Sequence, residues 1–258
     1  MEIFNTAGLS TEKILLATLS SVQKCNLDKQ KTLSYLDIGS GNGALIKLLS
    51  SAYDLDVNAC DYTNKLMEIP NQQVDVCDLN TQNLPYNDEH FDLITMTEVV
   101  EHIENHRKTI SEISRVLRPG GIAIISTPNI LNLKSRIRFL FCGFWNLYGP
   151  LKIGNRKIES TGGHINPIHY FLLAHSVMEA GLTVKGHSFD KFQSSSIFLL
   201  LLLYFPIKIL AFFHFRKENL KYKTIDCLNE SFVKETNSTG LLLGRTVILT
   251  IEKLVNPR

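Results

Sequence analysis

Three glycines at alternate positions form the clearest chemical signal in the chain, within the segment Leu36-Asp37-Ile38-Gly39-Ser40-Gly41-Asn42-Gly43. Glycine lets the backbone turn tightly and lets a ligand approach it closely. An apolar run precedes this turn and a helical pattern follows it, so the turn joins a buried strand to a helix. The arrangement predicts a nucleotide-like ligand at the carboxyl end of that strand.

Two classes of cofactor compete for this turn. Gly39, Gly41 and Ala44 satisfy the dinucleotide fingerprint, and Asp61 lies about 20 residues further on, where a ribose-binding carboxylate would stand. The alternative is S-adenosylmethionine (SAM). Asp37 favours SAM, because a carboxylate beside the glycines suits its cationic amino group but would repel a pyrophosphate.

Two further carboxylates also fit SAM. Asp61 ends a predicted strand, where it can accept hydrogen bonds from both ribose hydroxyls. Asp78 ends the next predicted strand and can accept from an adenine amino group, while Leu79 packs on the ring. The residues therefore favour SAM over a nicotinamide cofactor.

The segment Glu98-Val99-Val100-Glu101-His102 follows the fourth predicted strand. On a helix, positions i, i+3 and i+4 share one face, so Glu98, Glu101 and His102 are expected to converge. Three interpretations stay open. His102 acts as a general base; or the three residues, with a distant ligand such as His164, bind Mg²⁺ or another divalent ion; or Glu98 contacts SAM while His102 orders the loop.

Alternating strands and helices position these residues. Strands are predicted at 32–39, 56–61, 74–79, 91–98, 121–129, 182–190 and 246–254, and helices after Ser10 or Thr11 and at 44–53, 106–117 and 168–180. Pro119-Gly120-Gly121 is expected to end the third of these helices. The alternation predicts a parallel sheet covered on both faces, with a final strand that lacks a crossover helix and is therefore a candidate antiparallel strand.

At this point residues 35–129 resemble the class I SAM-dependent methyltransferase family. The matching segments are LDIGSGNG, ACD, VDVCDLN followed by LPYNDEHFDLI, EVVEH, and ISRVLRPGGIAIISTPN. The resemblance implies an α/β fold with a Rossmann-like, doubly wound sheet of seven strands in the order 3-2-1-4-5-7-6, strand 7 being antiparallel. The implied site consists of Gly39, Gly41 and Gly43 at the methionine portion, Asp61 at the ribose, and Asp78 and Leu79 at the adenine. Asp37, Ser40, Tyr62 and Thr97 complete the predicted cofactor site.

The Glu-x-x-Glu-His spacing is similar to that of two metal-dependent families, the ubiquinone-pathway O-methyltransferases and the small-RNA 3′-end 2′-O-methyltransferases. The first family also has a Gly-x-His element before a helix, here Gly162-Gly163-His164. The formal net charge of +2 and the lack of an aromatic-basic platform argue against RNA, so no nucleic-acid partner is expected.

Two apolar segments raise the question of a membrane. Residues 197–213, IFLLLLLYFPIKILAFF, are shorter than the ~20 residues that span a bilayer. They predict a span, a hairpin on the membrane surface, or a helix packed on the domain or on a partner, and the basic residues that follow would suit anionic lipid. Residues 133–148 predict either an interfacial amphipathic helix or a lid over the acceptor pocket.

The predicted organisation is one domain over 1–258, with an acceptor-side lid at 130–165 and an apolar helical insertion at 191–240. Five cysteines without metal spacing and an N-terminus without signal-peptide character predict a cytoplasmic protein. The segments 133–148 and 197–213 raise the alternative of peripheral contact with the cytoplasmic membrane face. The predicted enzyme O-methylates an amphipathic or lipid-linked acceptor. A soluble methyltransferase for a small metabolite or glycan, and a non-catalytic SAM-binding protein, are the alternatives.

Overall fold

The computed structural model describes residues 10–28, 30–151, 153 and 163–255. Its centre is a seven-stranded sheet in the order β3-β2-β1-β4-β5-β7-β6, which confirms the predicted fold. The strands are β1 Leu33–Ile38, β2 Leu55–Asp61, β3 Asp75–Val76, β4 Phe91–Thr97, β5 Leu117–Pro128, β6 Thr183–Phe189 and β7 Thr246–Glu252. β7 runs antiparallel to both of its neighbours, and the remaining pairs are parallel. The parallel strands β1, β2 and β4 end at one edge of the sheet, here called the carboxyl edge.

Helices cover the sheet and extend from it. They are α1 Glu12–Gln23, α2 Ala44–Ser50, α3 His106–Val116, α4 Leu133–Cys142, α5 Tyr170–Glu179, α6 Ile197–Lys217, α7 Glu230–Glu235 and α8 Thr239–Leu243. Three single turns lie at Val100–His102, Ser194–Ser196 and Glu218–Tyr222. The N-terminus of α1 follows Thr11, but the Thr11 side chain does not cap it and instead accepts a hydrogen bond from Arg245 (2.8 Å).

The sheet is buried on both faces because successive side chains point to opposite sides. All six residues of β1 are buried. Tyr35 belongs to the apolar cluster under α1 and α2, whereas its neighbour Leu36 belongs to the cluster under α3 and α5. Such near-continuous apolar runs are typical of strands in a doubly covered parallel sheet.

Two elements differ from their predicted bounds. The third strand covers only Asp75–Val76 rather than 74–79, because it lies at the edge of the sheet and pairs with β2 over two residues. The Pro119-Gly120-Gly121 segment follows the end of α3 as predicted, but it lies within β5, where a register shift against β4 accommodates it. Gly120 has a φ of +80° and donates its N–H to the Lys253 carbonyl (2.6 Å).

The apolar segment 197–213 lies in one continuous helix rather than in a hairpin. α6 runs for 21 residues through Pro206, and none of its residues is buried. With its flanking turns it forms a helical segment, Ser194–Tyr222, that is long and apolar enough to cross a membrane by length and composition. Of the predicted lid at 130–165, the structure describes α4 and the residues around it; Gly162 and most of 152–162 lie outside the described residues.

Candidate SAM-binding and acceptor site

The glycine turn between β1 and α2 presents backbone rather than side chains at the carboxyl edge. Gly39, Gly41 and Gly43 have φ values of +75°, +50° and +80°, a region that L side chains rarely adopt. A Cβ on Gly39 would lie 2.2 Å from Cγ2 of Val99. A Cβ on Gly43 would lie 2.7 Å from Cδ1 of Ile69. The turn therefore requires glycine for both its conformation and its close packing.

Asp61 faces this turn from the end of β2. Its carboxylate accepts a hydrogen bond from the Gly41 amide (2.8 Å) and another from the Thr63 amide (3.3 Å). The residue is only 6% exposed, and this burial raises the pKa of its carboxyl group. Both predicted partners, glycine turn and strand-end carboxylate, therefore lie in direct contact.

Asp37 lies at the same edge, buried within the sheet. Thr95 on β4 donates a hydrogen bond to its carboxylate (2.6 Å), and the Tyr35 hydroxyl lies 2.6 Å from the Thr95 hydroxyl. Burial raises the pKa of Asp37 to about 7, while the hydrogen bond from Thr95 acts in the opposite direction. A cationic group beside this carboxylate would favour its ionised form, and SAM carries such a group.

Sequence reasoning missed Thr95 and Tyr35. The signal for Thr95 is the strand register, which places it directly opposite Asp37 on the neighbouring strand. That register depends on tertiary pairing, so a single sequence does not display it.

The remaining predicted cofactor residues differ in their burial and in their hydrogen-bond partners. The Ser40 and Thr97 hydroxyls are buried and have no hydrogen-bond partner within the described part of the chain, so a bound ligand could satisfy them. Asp78 is half-buried and caps its own turn, accepting from the Asn80 amide (3.0 Å) and the Thr81 hydroxyl (3.0 Å). Tyr62 and Leu79 are half-buried.

Glu98 does not share a helical face with Glu101 and His102, so the predicted helical arrangement is wrong, although its carboxyl group still neighbours that of Glu101. Its φ is +55°, and the single helical turn begins only at Val100. The left-handed conformation turns Glu98 toward β5, where its carboxylate accepts a hydrogen bond from the Ser126 hydroxyl (3.1 Å) and its amide donates back to the same hydroxyl (3.1 Å). Burial raises the pKa of Glu98, and the negative charge of Asp190 raises it further.

Glu101, His102 and His164 form the second half of the site. One potential ligand atom from each lies within 4.8 Å of the others. The Glu101 carboxylate is fully buried; one oxygen accepts from the Thr127 hydroxyl (3.3 Å), and the other has no partner among the described residues. Burial and the neighbouring Glu98 carboxyl raise the pKa of Glu101 well above its usual range.

The two histidines of this cluster, His102 and His164, differ in their hydrogen bonding and in their pKa. The Nδ1 atom of His102 lies 3.1 Å from the Gly163 carbonyl, a contact in which Nδ1 donates and the lone pair stays on Nε2. Burial and the adjacent His102 lower the pKa of His164 to about 4, so His164 is neutral at physiological pH. The amides of Ile165 and Asn166 donate to the Glu101 carbonyl (3.0 and 2.9 Å) and hold this segment in place.

Tyr148 connects the predicted lid to this cluster. Its ring lies edge-on to His164 at a centroid distance of 5.1 Å, and the residue is 5% exposed. From the sequence, Tyr148 belongs to the predicted 133–148 segment only as its last residue and is not assigned to the site. The segment 133–148, which carries the exposed apolar side chains of α4, therefore also contacts the cluster of Glu101, His102 and His164.

Comparison with known proteins identifies the core of the chain. A family model described as "Methyltransferase domain" matches residues 36–125. The chain is 39% identical over 95 residues to a "Probable tRNA methyltransferase 9B" of Mus musculus, covering 34% of this chain and 20% of that protein. It is 30% identical over 114 residues to a mitochondrial "Ubiquinone biosynthesis O-methyltransferase" of Dictyostelium discoideum, covering 38% and 36%.

A solved SAM-dependent methyltransferase from Archaeoglobus fulgidus has the same fold, with a TM-score of 0.56, 15% identity, and coverage of 94% of this chain and 95% of that one. The chain spans about a fifth to a third of the two curated relatives it matches. The matched residues 36–125 contain the glycine turn, the strand-end carboxylates and the Glu101-His102 pair described above. Residues 36–125 match the methyltransferase-domain family model, and the strand order and fold of the chain are those of a solved SAM-dependent methyltransferase; together these findings support a class I SAM-dependent methyltransferase family for this domain.

Proposed function

We propose that this protein transfers a methyl group from SAM to an oxygen atom of an amphipathic or lipid-linked acceptor at a membrane surface. The observation that carries the proposal is the contact between the glycine turn and the buried Asp61 carboxylate, with the Glu101-His102-His164 cluster at the same edge of the sheet. The name of the Dictyostelium relative, an O-methyltransferase, supports oxygen as the acceptor atom.

SAM, when bound, supplies an activated methyl group, so the protein mainly has to bind and orient the reactants. Asp61 is placed to accept hydrogen bonds from a ribose, in place of its present bonds to the turn. Asp37 offers negative charge to the cationic amino group, and the unpartnered hydroxyls of Ser40 and Thr97 offer further hydrogen bonds. The buried position of both carboxylates strengthens these interactions, because the local dielectric constant is low.

The acceptor oxygen would approach from the side of Glu101, His102 and His164. These residues suit either of two tasks: His102 accepts the hydroxyl proton as a general base, or the three side chains hold a divalent ion that would acidify the hydroxyl. We favour the ion, because a buried carboxylate oxygen without a partner and a neutral buried histidine are good metal ligands. Glu98 is assigned to the support of this loop through Ser126.

Exposed apolar side chains support an amphipathic acceptor. Leu140 and Phe141 at the end of α4 are 76% and 80% exposed, and the same segment reaches the cluster through Tyr148. A small polar metabolite or glycan needs no such surface. The tRNA named for the mouse relative is the competing acceptor class, and a net charge of +2 gives it little electrostatic support.

Isothermal titration of SAM and S-adenosylhomocysteine into the purified protein tests the cofactor part of the proposal. We expect micromolar binding of both ligands and at least tenfold weaker binding to Asp61→Asn, roughly 1.4 kcal/mol or more. Binding without methyl transfer to any lipid, metabolite or RNA acceptor would favour a non-catalytic SAM-binding protein. Absence of binding, with and without Mg²⁺, contradicts the proposal.

The ion is tested separately with Mn²⁺, whose free signal in electron paramagnetic resonance disappears on binding. We expect the wild-type protein to bind Mn²⁺ and both Glu101→Gln and His164→Ala to lose it, while SAM titrations of the two variants stay unchanged. If the wild-type protein leaves the Mn²⁺ signal intact, the metal assignment is wrong and His102 is left as the base.

A further inference from the structure

We propose that α6 is an in-plane membrane-docking helix, which lays its outer face into one leaflet of an anionic bilayer and does not cross it. This deepens the membrane-surface part of the proposed function by naming the element that docks and its orientation, and it does not depend on which acceptor is methylated. The argument rests on the two faces of α6, on how its ends are held, and on the charges that follow it.

The two faces of α6 differ in exposure. Half-covered residues recur at helical spacing on the side that faces the domain, as shown by Leu203, Ile207 and Ala211. From Phe198 to Phe213, before the basic residues at the end of the helix, the opposite side is highly exposed and apolar: Phe198 is 74% exposed and Phe205 71%. The full outer face comprises Phe198, Leu201, Leu202, Phe205, Ile209, Leu210, Phe212 and Phe213.

The charged residue within the apolar run lies on the covered side. Lys208 is half-covered, and its ammonium group lies 5.5 Å from the centre of the Tyr204 ring, itself half-covered. Lys208 therefore does not interrupt the outer face. A helix with one uninterrupted apolar face and one face turned to protein is suited to half-immersion in lipid.

Both ends of α6 are attached to the same domain, which argues against a span. At its start, Ser196 is fully buried and Phe192 forms a bridge with Gly244, just before β7. At its end, Phe215 lines a cleft together with Phe171 of α5 and Val233 of α7. Because α7 packs against α5, a helix whose two ends lie against one domain cannot cross a bilayer to the opposite side.

Basic residues follow the apolar run, at the end of α6 and in the turn after it. They are Arg216, Lys217, Lys221 and Lys223. Lys217 and Lys221 both lie over the ring of Tyr222, at 5.5 and 5.4 Å from its centre. Cations beside an aromatic ring at the border of an apolar face match the headgroup layer of a membrane with anionic lipid.

A bilayer accounts for more of the exposed surface than a second protein helix would. A second apolar surface, at the end of α4, also emerges from the carboxyl edge, and Arg136 of α4 donates hydrogen bonds to Thr236 (2.8 Å) and Asn237 (2.7 Å) in the insertion that carries α6. A helix from another protein would cover one of these surfaces. An anionic bilayer matches both the apolar outer face of α6 and the basic residues at its end, so we take a bilayer as the occupant.

Flotation of the purified full chain with vesicles tests the proposal. We expect the protein to float with vesicles of equal parts phosphatidylcholine and phosphatidylglycerol, and less with phosphatidylcholine alone. Leu201→Gln/Leu210→Gln should lower the partition coefficient at least about tenfold. The matched control is Leu16→Gln/Val255→Gln, which removes two exposed apolar side chains on other elements and should not change partitioning.

Two measurements separate this proposal from its competitors. Phe205→Trp, in a Trp145→Phe background that removes the native tryptophan, should be quenched by shallow brominated lipids roughly 5–10 Å deep and not by lipids brominated at the bilayer centre. Quenching at the centre overturns the in-plane arrangement. A wild-type dimer that fails to float, and that dissociates in Leu201→Gln/Leu210→Gln, would show a protein interface instead.

The same variants keep this test independent of the proposed chemistry. Leu201→Gln/Leu210→Gln should bind SAM with wild-type affinity, since α6 contributes no residue to the glycine turn. Loss of flotation with intact SAM binding therefore supports the docking helix whether or not the methyl acceptor is a lipid. A parallel loss of SAM binding would mean that the variant is misfolded, and single substitutions Leu201→Gln and Leu210→Gln would then replace it.

Discussion

At the scale of single residues, Asp37 links protein stability to cofactor binding. Its carboxyl group is buried, and this burial raises its pKa to about 7 from the 3.8 that is usual for an aspartate. Because the folded state binds a proton that the unfolded state releases, the protein loses stability as the pH rises between these two values. A cation near Asp37 favours the ionised carboxylate over the protonated form. SAM should therefore bind more tightly as the pH rises through about 7.

We therefore expect Asp37→Asn to stabilise the ligand-free protein at pH 8 relative to wild type and to have little effect at pH 4. The same variant should weaken SAM binding at pH 8 and remove its pH dependence. Urea unfolding and SAM titration at both pH values check this, with Asp56→Asn, an exposed carboxyl on β2, as the control. A variant that binds SAM as wild type does at pH 8 would contradict the role of Asp37.

A substitution at Gly39 tests whether the turn needs glycine for its left-handed backbone conformation alone or also for its close packing against Val99. Gly39→Ala combines a left-handed φ of +75° with a Cβ 2.2 Å from Val99. We expect a loss of about 2–4 kcal/mol in unfolding free energy and a large fall in SAM affinity. The matched control is Gly143→Ala, which has a φ of +70° but no atom within 4 Å of the new Cβ, and it should cost about 1 kcal/mol. Equal losses for both variants would mean that packing against Val99 is unimportant.

At the scale of elements, Arg136 connects α4 to the end of the apolar insertion. Its guanidinium group donates to Asn237, to the Thr236 carbonyl and to the Leu131 carbonyl. Burial lowers its pKa, and its hydrogen-bond acceptors are neutral. The arginine thus holds the first turn of α4 against the segment between α7 and α8.

Arg136→Met keeps the apolar stem and removes the donors. We expect a loss of about 1–3 kcal/mol and faster amide exchange in α7 and α8. Hydrogen exchange followed by mass spectrometry measures this, and Arg138→Met, exposed one half-turn further along α4, should change neither quantity. Unchanged protection of α7 and α8 in Arg136→Met would show that the connection carries no stability.

At the scale of the whole molecule, the carboxyl edge gathers residues from four strands into one site. Ligand binding there should stabilise the native state as a unit, because the strands share two continuous cores. A ligand at 100 times its Kd adds about 2.7 kcal/mol. For a chain of 258 residues this corresponds to a rise in Tm of roughly 5–10 °C.

We expect S-adenosylhomocysteine at that ratio to produce this rise in the wild-type protein. Differential scanning calorimetry with and without ligand measures it. Asp61→Asn, at the same ligand concentration, should show about half of the shift or less. An equal shift in Asp61→Asn would mean that the ligand binds elsewhere.

The local signals in the sequence predicted most strands of the sheet and the half of the site formed by the glycine turn and the strand-end carboxylates. A glycine turn after an apolar run, and acidic residues at strand ends, are short-range patterns whose geometry follows from backbone sterics and strand alternation. They predicted alternating strands and helices and a candidate antiparallel final strand, whereas the strand order came from the family resemblance; the contact between Gly41 and Asp61 follows the local pattern. The length of β3 was harder to predict, because the extent of an edge strand depends on how far it pairs with its single neighbour.

Tertiary structure decided the features that depend on residues far apart in the chain. The left-handed conformation of Glu98 and its hydrogen bond with Ser126 of β5 depend on the tertiary structure, and no helical spacing could indicate them. The strand register brings Thr95 into contact with Asp37. The rings of His102 and His164 lie in contact although about 60 residues separate them in the chain. The apolar composition of α6 was visible in the sequence, but the division of the helix into a covered face and an exposed face exists only because both of its ends are held by the folded domain.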